Sequence, residues 1–241
     1  LQWEQFGPSL DKPFLELEPS PVVLWLSPLD ERHDCPEWLQ PWEHHALERL
    51  PMGRGQEVLR SRVLLRRLVA QVLGCTPQAV PLRADPGAPP QLEHMEDWHL
   101  SLSHSRGTAL VAMARQQLGV DLEVHNRWIS PAMARRFFSP EEADALDALE
   151  RQEGPQRGQQ QRLASWLAKE SLCKLLRQPL LPILKTWRYD PEHHTLHHGH
   201  GQTMGCRVRS VRPWSWAYCT HGSMATARSD CGKAQCLGLA P

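Results

Sequence analysis

Asp121 and Glu123 stand two residues apart in Gly119-Val120-Asp121-Leu122-Glu123. Leu118, Val120, Leu122 and Val124 alternate with Gly119, Asp121 and Glu123, a period of two that predicts a strand with both carboxylates on one face. Carboxylates so placed project in parallel and can share one hard cation. A half-buried strand with a solvated acidic edge has the same pattern. Further on, residues 162–177 are apolar almost all the way round a helical projection, as expected of a buried helix. Glu170 and Lys174 lie at i and i+4 within that apolar surface, about 20° to either side of Leu163. One reading is a buried structural ion pair. The other makes Glu170 a third oxygen ligand beside Asp121 and Glu123, with Lys174 facing an anion. Three carboxylates and a lysine suit Mg²⁺ with a phosphate-bearing substrate, because Mg²⁺ combines a few carboxylates with waters and phosphate oxygens. The lysine would neutralise charge as a phosphate departs.

Several elements must position these groups. Val22 to Leu26 reads as a strand ended by Ser27-Pro28. Residues 36–50 read as helix interrupted by Pro41 and Pro51. Gln56 to Leu73 has helical periodicity in Leu65, Leu68, Val69, Val72 and Leu73, with Gly74 as its stop. Arg54, Arg60, Arg62, Arg66 and Arg67 lie on or just before that helix, either as a solvated face or as an anion site near a helix start. Residues 76–97 form a Pro- and Gly-rich loop centred on Asp85 to Pro90. Trp98–Ser103 and Thr108–Ala114 are predicted strands, the second apolar on both faces and so central in its sheet. Ser103-His104-Ser105-Arg106-Gly107 reads as a tight polar turn between them. Pro131–Phe138 is predicted helical, and Ser139-Pro140-Glu141-Glu142 has the signature of a capping box opening another helix. Residues 152–161 read as a polar hinge, and strands are expected at 186–189, 206–211 and 215–220.

The chain has 241 residues and equal numbers of acids and bases, 27 each, which gives no sign of wholesale nucleic-acid binding. Acids predominate before residue 48, whereas residues 49–72 hold six arginines and Glu57 alone. There is no apolar run of membrane-spanning length and no signal-peptide pattern at the first residue. Seven irregularly spaced cysteines argue against a secreted disulfide framework. A reducing cytoplasm is therefore the expected compartment. No Gly-x-Gly-x-x-Gly phosphate loop and no paired Cys-x-x-Cys motif occurs. His193, His194, His197, His198 and His200 could hold a transition metal, but the Pro and Gly around them favour an exposed loop.

Taken together, Ser103-His104-Ser105, Gly119-Val120-Asp121-Leu122-Glu123, Arg135-Arg136-Phe137-Phe138-Ser139-Pro140-Glu141 and Trp166-Leu167-Ala168-Lys169-Glu170-Ser171-Leu172-Cys173-Lys174 resemble, in order and spacing, the motifs of 4′-phosphopantetheinyl transferases of the larger, surfactin-synthetase-activating type. The resemblance covers roughly residues 20–220. It implies an α/β (α+β) fold of two similar halves related by a pseudo-twofold axis, each a small, largely antiparallel sheet packed with helices. The halves would be residues 1–117 and 118–221, followed by a tail over 222–241. It also implies Mg²⁺-dependent transfer of the phosphopantetheine arm of coenzyme A to a serine of an apo carrier protein, leaving 3′,5′-ADP. Asp121, Glu123 and Glu170 match the family's metal-binding acids, and Glu170 is also the candidate general base. Lys174, Ser103 and His104 match contacts to the coenzyme's phosphates, and Asp121 lies among them. Arg54 falls where the family has a basic phosphate contact, and Arg62 follows on the same helix as a second candidate.

One departure stands out. Many members have Gly-Lys-Pro where this chain has Gly87-Ala88-Pro89, so a lysine contact to the coenzyme is missing. That lends weight to an alternative, a coenzyme A or nucleotide-binding protein without transferase activity. The expected partners are coenzyme A and an acyl, polyketide or peptidyl carrier, with neither nucleic acid nor membrane, and the expected state is a monomer. Carrier proteins are usually acidic, so Arg136, Arg157 and Arg162 near the 152–161 segment are candidate docking contacts.

Overall fold

The apolar stretch beginning at Val22 needs strands on both sides, because its buried backbone N–H and C=O groups must find partners within the sheet. In the computed structural model, which describes residues 14–16, 22–83 and 89–221, Val22–Pro28 (β2) pairs with Phe14–Glu16 (β1). Two helices follow, Pro41–Glu48 (α1) and Met52–Leu73 (α2), each entered at a proline that needs no helical N–H partner. Gly74 closes α2 in the left-handed conformation at φ 68°. Leu82–Arg83 (β3) and Gln91–Leu92 (β4) make a short ribbon within the predicted loop. Ala88 and Gly87 lie outside the described residues. His99–Ser105 (β5) and Thr108–Ala114 (β6) complete a sheet of order β1-β2-β6-β5, antiparallel throughout.

The predicted turn at 103–107 is shorter than expected. The strand continues through Ser105, and only Arg106 (φ 45°) and Gly107 (φ 72°) turn the chain. Two residues with positive φ form the type I′ connection whose twist matches the flanking strands.

Leu118–Val124 (β7) starts the second sheet. Pro131–Phe137 (α3), Pro140–Glu153 (α4), Pro155–Leu176 (α5) and Leu180–Thr186 (α6) follow it. Trp187–Asp190 (β8), Thr195–His198 (β9), Thr203–Val211 (β10) and Trp214–Thr220 (β11) then complete the order β7-β11-β10-β9-β8, again antiparallel. Two expectations are corrected here. Residues 155–161 are the first two turns of α5, not a hinge, and only Gly154 (φ 93°) interrupts the helices. Its polar composition hid the helix because Gln159 bonds the backbone of Arg127 and Ile129, so a polar side chain does the anchoring. Of the histidine segment, only His197 and His198 lie in a strand, β9, held between β8 and β10, and His193, His194 and His200 lie in the flanking turns as expected. The predicted tail at 222–241 lies outside the described residues.

The layers follow from alternation. On β5, Leu100 and Leu102 turn to α2, where Leu64, Leu65, Leu68 and Val69 pack with Val111 and Met113 of β6. Each such buried side chain contributes roughly 2 kcal/mol. The opposite faces of β2 and β6, through Val22, Leu24, Leu110 and Ala112, pack on Val120 and Leu122 of β7 with Trp216 and Tyr218 of β11. The far face of the second sheet packs on α3 to α6 through Leu167, Leu172, Ile183 and Trp187. The order is therefore helix, sheet, sheet, helices.

Two local features fix α5. A Cβ on Gly119 would come 2.0 Å from the Ser171 carbonyl oxygen and 2.5 Å from the Leu175 nitrogen, so the helix backbone rests directly on β7. Lys169, fully buried, donates to the Glu142 carboxylate of α4 and to Leu184 O at 2.8 Å, with its ammonium 3.9 Å from the Phe138 ring centre. Ser139 caps α4 as predicted, accepting from Glu142 N at 3.2 Å. The Glu142 carboxylate, however, serves Lys169 and does not complete a capping box.

Gly119→Ala is expected to destabilise the protein by about 3 kcal/mol or more, measured by urea unfolding, because the clash is with backbone that no rotamer change relieves. Lys169→Met is expected to cost about 3–5 kcal/mol by leaving Glu142 buried and unpaired. Adding Glu142→Leu should recover much of that loss in the same assay.

Candidate functional site

Ser101, Ser103 and Ser105 occupy the face of β5 opposite its leucines, and β5 runs alongside β7. Ser101 Oγ accepts from Val120 N at 3.0 Å, Ser103 Oγ donates to Asp121 Oδ1 at 2.9 Å, and Ser105 Oγ donates to Glu123 Oε2 at 3.2 Å. The seam between the sheets is thus closed by serines reaching the acidic face of β7. From the other side, α5 brings Lys174, whose Nζ donates to Asp121 Oδ1 at 2.8 Å and to Val120 O at 2.9 Å. Asp121 is 5% exposed, and no N–H or hydroxyl donor reaches its buried Oδ2. The acids are not a solvated edge.

Lys174 therefore pairs with Asp121, not with Glu170. The structural ion pair of this helix is Lys169–Glu142, one residue before Glu170. The Glu170 carboxyl faces Asp121 and is pushed up to about 8, first by burial and then by the charge and hydrogen bonding of Asp121. Arg127 and Lys174 oppose that shift only in part. Glu123 is held by Ser105 and by Arg127, whose Nη1 donates to Oε1 and stands 3.9 Å from Glu170 Oε2.

The first-sheet side supplies a second group. Arg54, in the first turn of α2, donates to Glu57 Oε2 at 2.9 Å and lies 3.5 Å from His104 Nδ1. With its hydrogen on Nδ1, His104 donates to Glu57 Oε1 at 3.2 Å. Burial lowers the His104 pKa below the usual histidine value, and Arg54 and Lys174 add to the effect against Glu57. Ser103, His104, Asp121, Glu123, Glu170, Lys174 and Arg54 are therefore neighbours. Arg62 is not one of them. Its guanidinium lies 5.7 Å from the Trp42 ring centre of α1, two turns further along the helix. Arg66 and Arg60 are also committed to structure, to Glu43 and to Asp34 respectively. Arg162, a candidate docking contact, is fully buried against Glu150 and Ile129 O and reaches no surface.

Among the described residues, no three His, Cys, Asp or Glu side chains are placed to hold a metal ion together. Three of the five histidines are engaged otherwise, His193 on Asp190, His197 between Thr195 and Thr203, and His198 accepting from His200 N. The donor chemistry at Asp121 and Glu170 nonetheless fits a hard cation. It is all oxygen, it includes the buried Oδ2 that no N–H or hydroxyl reaches, and burial together with the Asp121 charge pushes the Glu170 pKa up.

Arg127 and Glu57 were not taken as site residues from the sequence, and Ser105 entered only as part of the Ser103-His104-Ser105 motif. Glu57 was signalled as the lone acid among six arginines in residues 49–72. Ser105 was signalled by strand alternation from Ser103. Arg127 had no such signal, because it lies in the turn after β7, where its N–H donates to Val124 O.

These features define a mixed α/β protein of two antiparallel sheets, with acids, a lysine, a histidine and arginines gathered at the seam. Residues 117–228 match the sequence profile of the 4′-phosphopantetheinyl transferase superfamily. The matched stretch includes β7 and α5, the elements that carry Asp121, Glu123, Glu170 and Lys174, and the fold is consistent with that superfamily. The chain is also similar to "Putative 4′-phosphopantetheinyl transferase slr0495" of Synechocystis sp. (strain ATCC 27184 / PCC 6803 / Kazusa), at 29% identity over 172 residues. That alignment takes in 65% of this chain and 64% of the relative, so the chain spans just under two thirds of the relative's length. No helix among the described residues is long and apolar enough to cross a membrane.

The raised Glu170 pKa has a defined sign for stability. Ionisation is harder in the folded state, so the metal-free protein loses stability as pH rises from the ordinary glutamate range through about 8. In EDTA, Glu170→Gln should therefore melt higher than the unsubstituted protein at pH 8.5, with a smaller difference at pH 5. Calorimetry at the two pH values checks it.

Proposed function

We propose that this protein transfers the 4′-phosphopantetheine arm of coenzyme A to a serine hydroxyl of an apo carrier protein. The observation that carries this reading is the Asp121–Glu170 carboxyl pair with its buried Oδ2 that no N–H or hydroxyl reaches, set beside Lys174 at the seam of the two sheets. The match over residues 117–228 supports the reaction class. The two-sheet architecture supports the larger, surfactin-synthetase-activating type.

Asp121, Glu123 and Glu170 would hold Mg²⁺. Bound there, it supplies Lewis-acid stabilisation of the charge that builds on the phosphate oxygens. The remaining steps belong to the chain's own groups. Arg54 provides donors for the coenzyme's phosphates, and Ser103 and His104 beside it become donors once coenzyme binding frees their hydrogens from Asp121 and Glu57. A cation among these acids would favour the ionised form of Glu170, and a Glu170 carboxylate oxygen would then take the proton from the carrier serine. The serine oxygen attacks the phosphorus bearing the pantetheine arm, and the bond to the nucleotide phosphate breaks. Lys174 offsets the negative charge on the departing 3′,5′-ADP. Arg62 has no part in this scheme, because it faces Trp42. A monomer working in the cytoplasm completes the proposal.

Mass spectrometry of apo fatty-acid, polyketide and peptidyl carriers, incubated with the protein, coenzyme A and Mg²⁺, tests the reading directly. At least one carrier should gain a phosphopantetheine arm. Glu170→Gln should lower the rate by about 100-fold or more and leave coenzyme A binding within about threefold. Near-normal transfer by that variant would falsify the role of Glu170. Coenzyme A binding with no transfer to any carrier would leave a binding protein in place of a transferase.

A further inference from the structure

Arg127 forms ion pairs with two of the three acids, Glu123 and Glu170. Nη1 donates to Glu123 Oε1, and the same nitrogen stands 3.9 Å from Glu170 Oε2. The guanidinium lies over the Trp166 ring, 5.0 Å from its centroid. Its backbone is fixed to both elements of the site. The N–H donates to Val124 O of β7 at 2.9 Å, and the carbonyl accepts from Gln159 Nε2 of α5 at 2.5 Å.

An ordinary surface Arg–Glu pair contributes little. This one differs because its carboxylate belongs to the acid set, and an oxygen that accepts from a guanidinium is not free to bind an ion. We propose that Arg127 is a positioning residue that acts as the protein's internal counter-cation. It holds Glu123 and Glu170 in the metal-free protein and yields Glu123 to a divalent cation, so that it sets how tightly the ion is held. The proposal rests on the cation-binding reading given above. The Trp166 face makes the exchange feasible, because cation–π attraction uses no carboxylate oxygen and keeps the guanidinium at the rim after Glu123 leaves. Ser105 retains Glu123 Oε2 meanwhile, so the carboxylate turns without losing its tether.

Calorimetric titration of the full chain with Mn²⁺, with melting curves in EDTA, tests this. Arg127→Gln should bind Mn²⁺ about five- to tenfold more tightly, since competition and local repulsion are both removed. It should also melt lower in EDTA and gain more from added Mn²⁺. Arg127→Lys, which keeps the charge and loses the planar fork, should fall between, and it carries the test if the Gln variant does not fold. In a Glu123→Gln background the tightening should shrink, because the ligand that Arg127 yields is gone. Unchanged or weaker Mn²⁺ binding by folded Arg127→Gln, or equal tightening with and without Glu123, overturns the proposal while leaving the transferase reading intact. No Mn²⁺ binding by any form, the unsubstituted chain included, overturns the metal site as well.

Discussion

The site depends on backbone touching backbone at Gly119. With no side chain there, α5 settles against β7 so closely that a single methyl group would meet the Ser171 carbonyl and the Leu175 nitrogen. Ser171 adjoins Glu170 and Leu175 adjoins Lys174, so this contact sets how far the helix groups stand from Asp121, two residues along the strand. A helix packed at the usual distance by intervening side chains would carry Lys174 away from Asp121 Oδ1 and Val120 O. The glycine is therefore a distance setting for the chemistry.

Charge placement works around that contact. The fully buried Lys169–Glu142 pair and the Arg162–Glu150 pair tie α5 to α4. Truncating one member of such a pair strands the other in a low-dielectric interior, which makes these pairs constraints on position more than sources of stability. At the seam the pattern differs. Asp121, Glu123 and Glu170 are met by Lys174 and Arg127, which leaves one carboxylate in excess, and burial with the neighbouring Asp121 charge keeps Glu170 holding its proton. Structural pairs are neutralised completely and the seam is not, and that incomplete neutralisation marks the seam as a place for chemistry.

Much of the fold was legible because period and composition agreed. β6 was recognisable as a doubly covered strand from its apolar residues alone, and β7, α2 and the cap of α4 followed from alternation, helical spacing and a Ser-Pro start. The failures share a cause. The polar start of α5, the extension of β5 through Ser105 and the histidine strand β9 are all polar segments whose hydrogen bonds go to other parts of the chain. Local polarity reads as loop unless the distant partner is known. The site divides in the same way. Asp121, Glu123, Glu170 and Lys174 were visible because charges in an apolar pattern demand a reason. Arg62 looked equivalent to Arg54 because both lie on one arginine-rich helix, yet only Arg54 reaches His104.

The sequence by itself determined which groups could do chemistry: carboxylates in strand register, an acid and a lysine in an apolar helix, and a serine–histidine strand end. These depend on local period and on the cost of burying charge, both of which a linear chain expresses. Only the tertiary structure decided the pairing. It gave Lys174 to Asp121, assigned the buried ion pair to Lys169 and Glu142, and set Arg127 between Glu123 and Glu170. Pairing is a matter of ångströms across elements that are far apart in sequence, and here it was set by a bare glycine and a row of serines at the seam.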